Sequence, residues 1–378
     1  MTSSVDGLLT GDVYARVVKA NIACENGVVH IIDNVLAYIY KSIDVTLMTS
    51  KNMSLVWHDV LSKAVMAPLR ERLMQDDVTV FVPSNSAFEK LPIQKQTELL
   101  ADEENLYKLM ELHILDGRVD LMGQDNQSTL DTMNPDKKLR LNIIINDTAQ
   151  TYYVNGDGVW AEVVQSNVGA TNGVVHLIDT ILGFPYQTVW EHITENPELT
   201  GIRRNVEKAS NTMKEYMSIE NEKLTFFAPN NDAFLDMYRQ RYDDYEALTQ
   251  GEPDVLENVL ETHLLRGQVV TLDDLVDNMQ LSTINGKTLV LKHDEFDSDR
   301  WHISDGTVEA EIIRGQKMTN GFIYIIDRVL YTSGDIKHAK GGDSAEVSGS
   351  LAPCWRISGL LLQIITTVHV LRVAIFNC

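Results

Sequence analysis

The sequence predicts an α+β chain built from tandem units of about 147 residues. Three observations predict it. An ending phrase recurs as "NGVVHIIDNVL" from Asn26, "NGVVHLIDTIL" from Asn172 and "NGFIYIIDRVL" from Asn320, at spacings of 146 and 148 residues. An opening phrase recurs as "TVFVPSNSAF" from Thr79 and "TFFAPNNDAF" from Thr225, again 146 apart. Between opening and ending lies one helix pattern, present twice. A period this long marks domains that each bury a core, not a solenoid of short repeats.

The opening phrase reads as a buried strand and a turn. Residues 78–82 and 224–228 are apolar and β-prone. Pro83 and Pro229 end the ladder by removing an N–H. Asn85 and Asn231 are placed to cap the short helix that carries Phe88 and Phe234 inward. The middle helix shows apolar residues at offsets 0, 3, 4, 7 and 8: Leu106, Leu109, Met110, His113 and Ile114, then Leu256, Val259, Leu260, His263 and Leu264. That is one face of a 3.6-residue period. Gly117 and Gly267, four residues past each histidine, suit a left-handed C-terminal cap.

Alternating strands precede each ending phrase: "VYARVV" from Val13, "VWAEVV" from Val159 and "VEAEII" from Val308. Asn-Gly is expected to supply the hairpin turn. The apolar run after it reads as a strand buried on both faces. Residues 1 to about 40 align with 147–186 at a constant shift of 146, so they read as the closing strands of an earlier unit. The expected organisation is a remnant at 1–40, complete units at 41–185 and 186–333, a polar linker at 334–356 and a hydrophobic tail at 357–378. An isolated strand pair makes no stable core, so the remnant is expected to be loosely held. The helix and opening strand of that earlier unit are missing, so the chain is read as N-terminally incomplete, a fragment or an incomplete gene model. That also accounts for a missing signal peptide: residues 1–18 have no basic region followed by an apolar run.

The formal charge of −22 speaks against nucleic acid, because no basic stripe exists to neutralise phosphates. It speaks equally against attraction to anionic lipid. Three cysteines, Cys24, Cys354 and Cys378, offer no zinc spacing.

These phrases closely resemble the fasciclin-type adhesion domain (FAS1). "TVFVPSNSAF" and "TFFAPNNDAF" are similar to that family's first signature, and "NGVVHLIDTIL" and "NGFIYIIDRVL" to its second. "ELHILDGRV" and "ETHLLRGQV" resemble its histidine-centred middle segment. The resemblance spans residues 41–333 as two full domains and 1–40 in part, and is strongest to the family's arthropod-type, neuronal cell-surface members. It implies a β-sandwich or wedge with helices clustered in the first half of each domain, no catalysis, no cofactor, and adhesion. The implied partner is the protein itself on apposed cells, with extracellular matrix or other cell-surface proteins as the alternative. Some family members bind integrins through a Tyr-His pair, here Leu112-His113 and Thr262-His263, and an Asp-Ile pair, here Asn167-Val168. Those departures favour homophilic adhesion.

His113 and His263 read as core histidines with a ring nitrogen satisfied by a backbone carbonyl, not as bases or ligands. His30 and His176 give way to Tyr324 in the third copy, which points to a structural role there too. Asp33, Asp179 and Asp327 recur in all three copies and read as carboxylates accepting local backbone N–H bonds, not as catalytic groups. No catalytic motif occurs, and a hydrolase has no residues behind it. Asp294, Glu295, Asp297 and Asp299, with His293 and His302, read as a solvated loop, since the calcium-loop glycine and terminal glutamate are missing.

Asn52, Asn126 and Asn146 match the N-glycosylation acceptor pattern. The tail "ISGLLLQIITTVHVLRVAIF" from Ile357 follows a small, polar stretch. Gly342-Asp343-Ser344, with residues 345–356 as spacer, fits a GPI-attachment signal at Gly342. A short membrane helix and a misread exon stay open beside it. The expected location is the extracellular face of the plasma membrane, with contact to the membrane only through that anchor.

Overall fold

The computed structural model describes residues 15–336 apart from 16, 34, 37, 147–148, 210, 251–252, 295–299 and 333. It opens on an antiparallel ribbon of β1 (Val17–Cys24) and β2 (Gly27–Ile32). The first repeat begins with α1 (Ile43–Thr49), α2 (Ser54–Ser62) and α3 (Ala67–Leu73). Strand β3 (Val78–Pro83) leads into α4 (Asn85–Glu89), α5 (Ile93–Ala101) and α6 (Glu103–Leu112). Then come β4 (Ile114–Asp116), β5 (Thr129–Asp131), β6 (Lys138–Asn146), β7 (Ala149–Gly156), β8 (Val159–Ala170) and β9 (Gly173–Ile178).

The second repeat runs through α7 (Val189–Glu195), α8 (Thr200–Lys208), α9 (Asn211–Ser218) and β10 (Leu224–Pro229). It continues with α10 (Asn231–Gln240), α11 (Tyr242–Gln250), α12 (Pro253–Thr262) and β11 (Leu264–Arg266). Strands β12 (Gln280–Ser282), β13 (Thr288–His293), β14 (Trp301–Ser304), β15 (Glu309–Met318) and β16 (Gly321–Ile326) close it. Sheet order is β4-β3-β9-β8-β7-β6-β5 in one repeat and β11-β10-β16-β15-β14-β13-β12 in the other, element for element the same. The fold is α+β in tandem, with helices concentrated before the sheet's closing strands.

In each repeat the opening strand pairs in parallel with the closing one: Val78 faces Gly173 and Leu224 faces Gly321. Both strands are buried along their whole length. Val78, Val80 and Val82 pack on the helices, while Phe81 points into the wedge of the sheet with Leu139, Leu141 and Val154. Covering both faces explains why these strands read as unbroken apolar runs. The ribbon repeats this local geometry. Its pairs Val17–Ile32, Lys19–Ile31, Ile22–Val29 and Cys24–Gly27 match Val163–Ile178, Gln165–Leu177, Val168–Val175 and Ala170–Gly173, irregularities included. Apart from half-buried Ile22, every residue of β1 and β2 is exposed.

Three local expectations need correction. The hairpin between β8 and β9 turns on Thr171-Asn172, and the glycine opens the strand. A Cβ on Gly173 would lie 1.9 Å from the Val78 carbonyl oxygen, and one on Gly321 1.9 Å from that of Leu224. Close backbone approach, not turn geometry, therefore requires glycine. The asparagine before it is buried. Asn172 Oδ1 accepts from Ile43 N (2.9 Å), and its Nδ2 donates to the carbonyls of Leu73 (2.8 Å) and Gln75 (2.9 Å). Asn320 does the same with Val189 N, Met217 O and Ile219 O.

Gly117 and Gly267 do have left-handed backbone, φ +93° and +80°, but they do not cap the middle helix. That helix ends at Leu112 or Thr262, and after His113 or His263 the chain becomes β4 or β11, bonded to the opening strand. Ladder bonds replace the last helical turn. Nor do Asn85 and Asn231 cap. Ser84 and Asn230, one residue earlier, accept from Ala87 N and Ala233 N. Asn85 Nδ2 instead donates to Lys51 O, and Asn231 bridges Gly201 N and Pro197 O.

Replacing Asn172 by Ala leaves one donor and two acceptors unpaired. Urea denaturation should show the first repeat losing roughly 3–5 kcal/mol, at about 1–3 kcal/mol per buried unsatisfied group. Gly123→Ala, with nothing within 4 Å of the added carbon, should change it by less than about 0.5 kcal/mol.

Candidate functional site

The two middle-segment histidines are sealed in the core, each fully buried. His113 Nδ1 donates to Leu109 O (2.8 Å) and its Nε2 accepts from Leu182 N (3.1 Å). His263 repeats this with Val259 O (2.8 Å) and Leu330 N (2.9 Å). Each ring is a neutral imidazole linking the end of the middle helix to the segment after the closing strand, 69 and 67 residues away. Burial pushes both pKa values down to about 4, against the opposing pull of the carbonyl bond. A ring with both nitrogens engaged by backbone and no solvent access holds the fold and offers no proton to a solute.

His176 is also fully buried and lies stacked on Phe81 at 4.9 Å. Its Nε2 donates to Val119 O (3.0 Å) and its Nδ1 accepts from Asn167 N (3.1 Å), and burial lowers its pKa to about 4. Asn167 has φ +56°, which aims that N–H at the ring. In the ribbon, Asn21 (φ +55°) presents its N–H to His30 in the same way. Tyr324 stacks on Phe227 and donates its hydroxyl to Val270 O (3.1 Å), keeping the bond to a loop carbonyl that His176 makes with Val119 O. Asp179 and Asp327 accept from Glu162 N (2.8 Å) and Glu311 N (2.7 Å), so their partners lie across the sheet and not nearby in sequence.

A joint between the repeats was not visible in the sequence reading. Asp157 (φ +50°) and Gly158 (φ +82°) form the turn from β7 to β8. Gly158 O accepts from Lys317 N at 2.8 Å. Asp157 is held by Lys137 of its own repeat and by Lys317 of the other, at 2.5 and 2.7 Å. Burial alone would raise the Asp157 carboxyl; the two ammonium groups outweigh it and hold the pKa below the usual range. Trp160 Nε1 donates to Gly315 O at 2.8 Å. Gly315 has no room for a side chain, since a Cβ would meet the Phe322 and Tyr324 rings at 2.7 Å. The Asp-Gly pair signals a hairpin in sequence, but nothing in it shows what the hairpin tip touches.

Among the described residues no group of three or more His, Cys, Asp or Glu is placed to hold a metal. His302 Nε2 lies 3.2 Å from Asp294 Oδ2, while Glu295, Asp297 and Asp299 fall outside the described residues. Asn52 and Asn126 sit at exposed positions, and Asn126 Oδ1 accepts from Ile143 N. Asn146 ends β6. Cys24 is a free, exposed thiol. Gly342, Cys354, Cys378 and the tail from Ile357 lie outside the described residues. Among those described, no helix is long and apolar enough to cross a membrane.

The duplicated strand order defines a tandem-domain protein. The profile of the Fasciclin domain matches residues 57–185 and 197–332, and the chain belongs to the fasciclin-domain family. It is 28% identical over 350 residues to fasciclin-1 of Schistocerca americana, covering 86% of this chain and 50% of that one. Fasciclin-1 of Drosophila melanogaster is 28% identical over 357 residues, 89% of this chain and 54% of its own. Transforming growth factor-beta-induced protein ig-h3 of Sus scrofa is 27% identical over 282 residues, 73% of this chain and 36% of its own. This chain thus spans about half the length of the two fasciclin-1 proteins. The solved FAS1 domain pair from the insect cell adhesion molecule fasciclin I shares the fold. The match has a TM-score of 0.50 and 22% identity, and covers 75% of this chain and 98% of that one.

Two measurements check these assignments. The buried histidines bind protons near pH 4 in the folded state and near 6.5 when unfolded, so the unfolded chain takes up more protons in between. Stability should therefore be full above about pH 6.5 and fall steadily toward pH 4, with a shallower slope in His113→Gln, read from urea midpoints across that range. For the joint, Trp160→Phe combined with Lys317→Met should raise the radius of gyration in small-angle scattering. Each repeat's unfolding free energy, read from urea denaturation, should stay within about 0.5 kcal/mol, as expected away from the cores.

Proposed function

We propose that this chain is part of a cell-surface adhesion molecule that binds further copies of itself on facing cells. The observation that carries the reading is membership of the fasciclin-domain family, with likeness to fasciclin-1 proteins across most of the chain. The structure is consistent with a passive binding role, since its recurrent histidines are sealed and engaged by backbone. In this reading no reaction is catalysed and no cofactor is used. Weak contacts gain strength when many tethered copies meet across two membranes.

Residues 41–185 and 186–333 are taken as the complete units and 1–40 as the closing part of another, on the shared strand register. The stretch 334–356 serves as a polar linker, and the tail 357–378 directs GPI attachment at Gly342 on the outer face of the plasma membrane. Asn52 and Asn126 are exposed enough to carry glycans, with Asn146 as a third acceptor.

Beads coated with the whole chain should cluster with one another, and soluble chain should inhibit the clustering. Beads that stay dispersed yet adhere to matrix-coated plates would replace this reading with a secreted scaffold that binds matrix or integrin-type ligands.

A further inference from the structure

A cleft of about 610 Å³ opens beside the joint and takes its walls from both repeats. That lies within the range of small-molecule sites, roughly 300–1,000 Å³. Asp136 and Arg140 line it from around the start of β6, and Asp273 from the turn after β11. Lys137, Lys138 and Lys317 also line it, but all three are engaged, Lys137 and Lys317 by Asp157 and Lys138 by Asp131. Among the described residues, the side chains of Arg140, Asp136 and Asp273 make no hydrogen bond or ion pair. Asn155 lines the same cleft and is 7% exposed. Its Oδ1 accepts from Gly158 N, while its Nδ2 has no acceptor.

The cleft therefore offers an unused donor, Arg140, beside unused acceptors, Asp136 and Asp273, while the unpaired Asn155 Nδ2 is itself buried. An anion would meet two carboxylates here, within a chain of formal charge −22. A cation would meet Arg140 and the three lysines. A hydroxyl both donates and accepts, so a ligand bearing many of them matches the mixed lining without a charge to offset. Half-buried Leu272 adds apolar surface for the C–H face of a ring.

We propose that the cleft between the two repeats binds a neutral oligosaccharide, held by Arg140 from one repeat and Asp273 from the other. The partner class follows from the lining, and the site exists only while the joint is closed. This stands apart from the adhesion reading: bead clustering can fail with sugar binding intact, and the reverse.

The test is saturation-transfer NMR on the whole chain with chitotriose, cellotriose and a heparin tetrasaccharide as separate probes. Transfer to at least one neutral trisaccharide is expected, reduced at least fivefold in both Arg140→Ala and Asp273→Ala. Both side chains are exposed, so unchanged urea midpoints should show the variants folded. Transfer to heparin alone would make the cleft an anion patch and overturn the proposal. So would absence of transfer to either neutral sugar, or transfer that persists in both variants.

Discussion

In each repeat one asparagine side chain joins segments about a hundred residues apart. Asn172 binds the first N–H of α1 and two carbonyls at and beyond the end of α3, and it does so from the turn that feeds β9. Its own carbonyl accepts from Val78 N at the start of β3. One buried residue thus sets where the helices begin and end relative to the central parallel strand pair. The glycine that follows lets those strands approach within a distance that no side chain would permit. Asn320 and Gly321 reproduce the arrangement. Removing such a group leaves buried polar atoms unpaired, which costs far more than its net bond strength.

The histidines extend this logic to the other side of the opening strand. His113 and His263 each fasten the segment after the closing strand to the middle helix. His176 ties β9 to the Val119 backbone. Where tyrosine stands instead, Gly315 clears space for the larger ring and the hydroxyl reaches the corresponding carbonyl. The substitution of His by Tyr changes the proton chemistry and keeps the connection. That is how a packing constraint behaves, and it agrees with the pKa values driven down by burial.

Between the repeats the physics is different. The joint is polar and charge-assisted: one carboxylate shared by two lysines, a Lys95–Glu220 ion pair, one indole on a carbonyl and one backbone bond. Half-buried ion pairs fix geometry more than they add stability. Such contacts fix the relation of the two repeats through a few specific polar groups. The ribbon β1–β2 shows the converse. It has the hairpin register of a full repeat, yet its apolar residues other than half-buried Ile22 stay exposed, because among the described residues no opening strand or helix covers them.

Much of the fold was legible from residue spacing alone. The 146-residue shift placed every strand of the closing hairpin, and the period of the middle helix found Leu106, Met110 and His113. Periodicity reports which face of an element is buried, because burial selects side chains locally. It missed where the middle helix gives way to β4, because that choice rests on ladder bonds to a strand over thirty residues earlier. It misassigned Gly173 to the turn and Asn85 to a cap, and missed the buried partners of Asn172, since a local reading supplies only local partners. The joint at Asp157, Trp160 and Lys317 left no trace in sequence pattern. What the sequence settles by itself is the repeat, its elements and its buried faces; the partners of each polar group were decided only when distant backbone came within 3 Å.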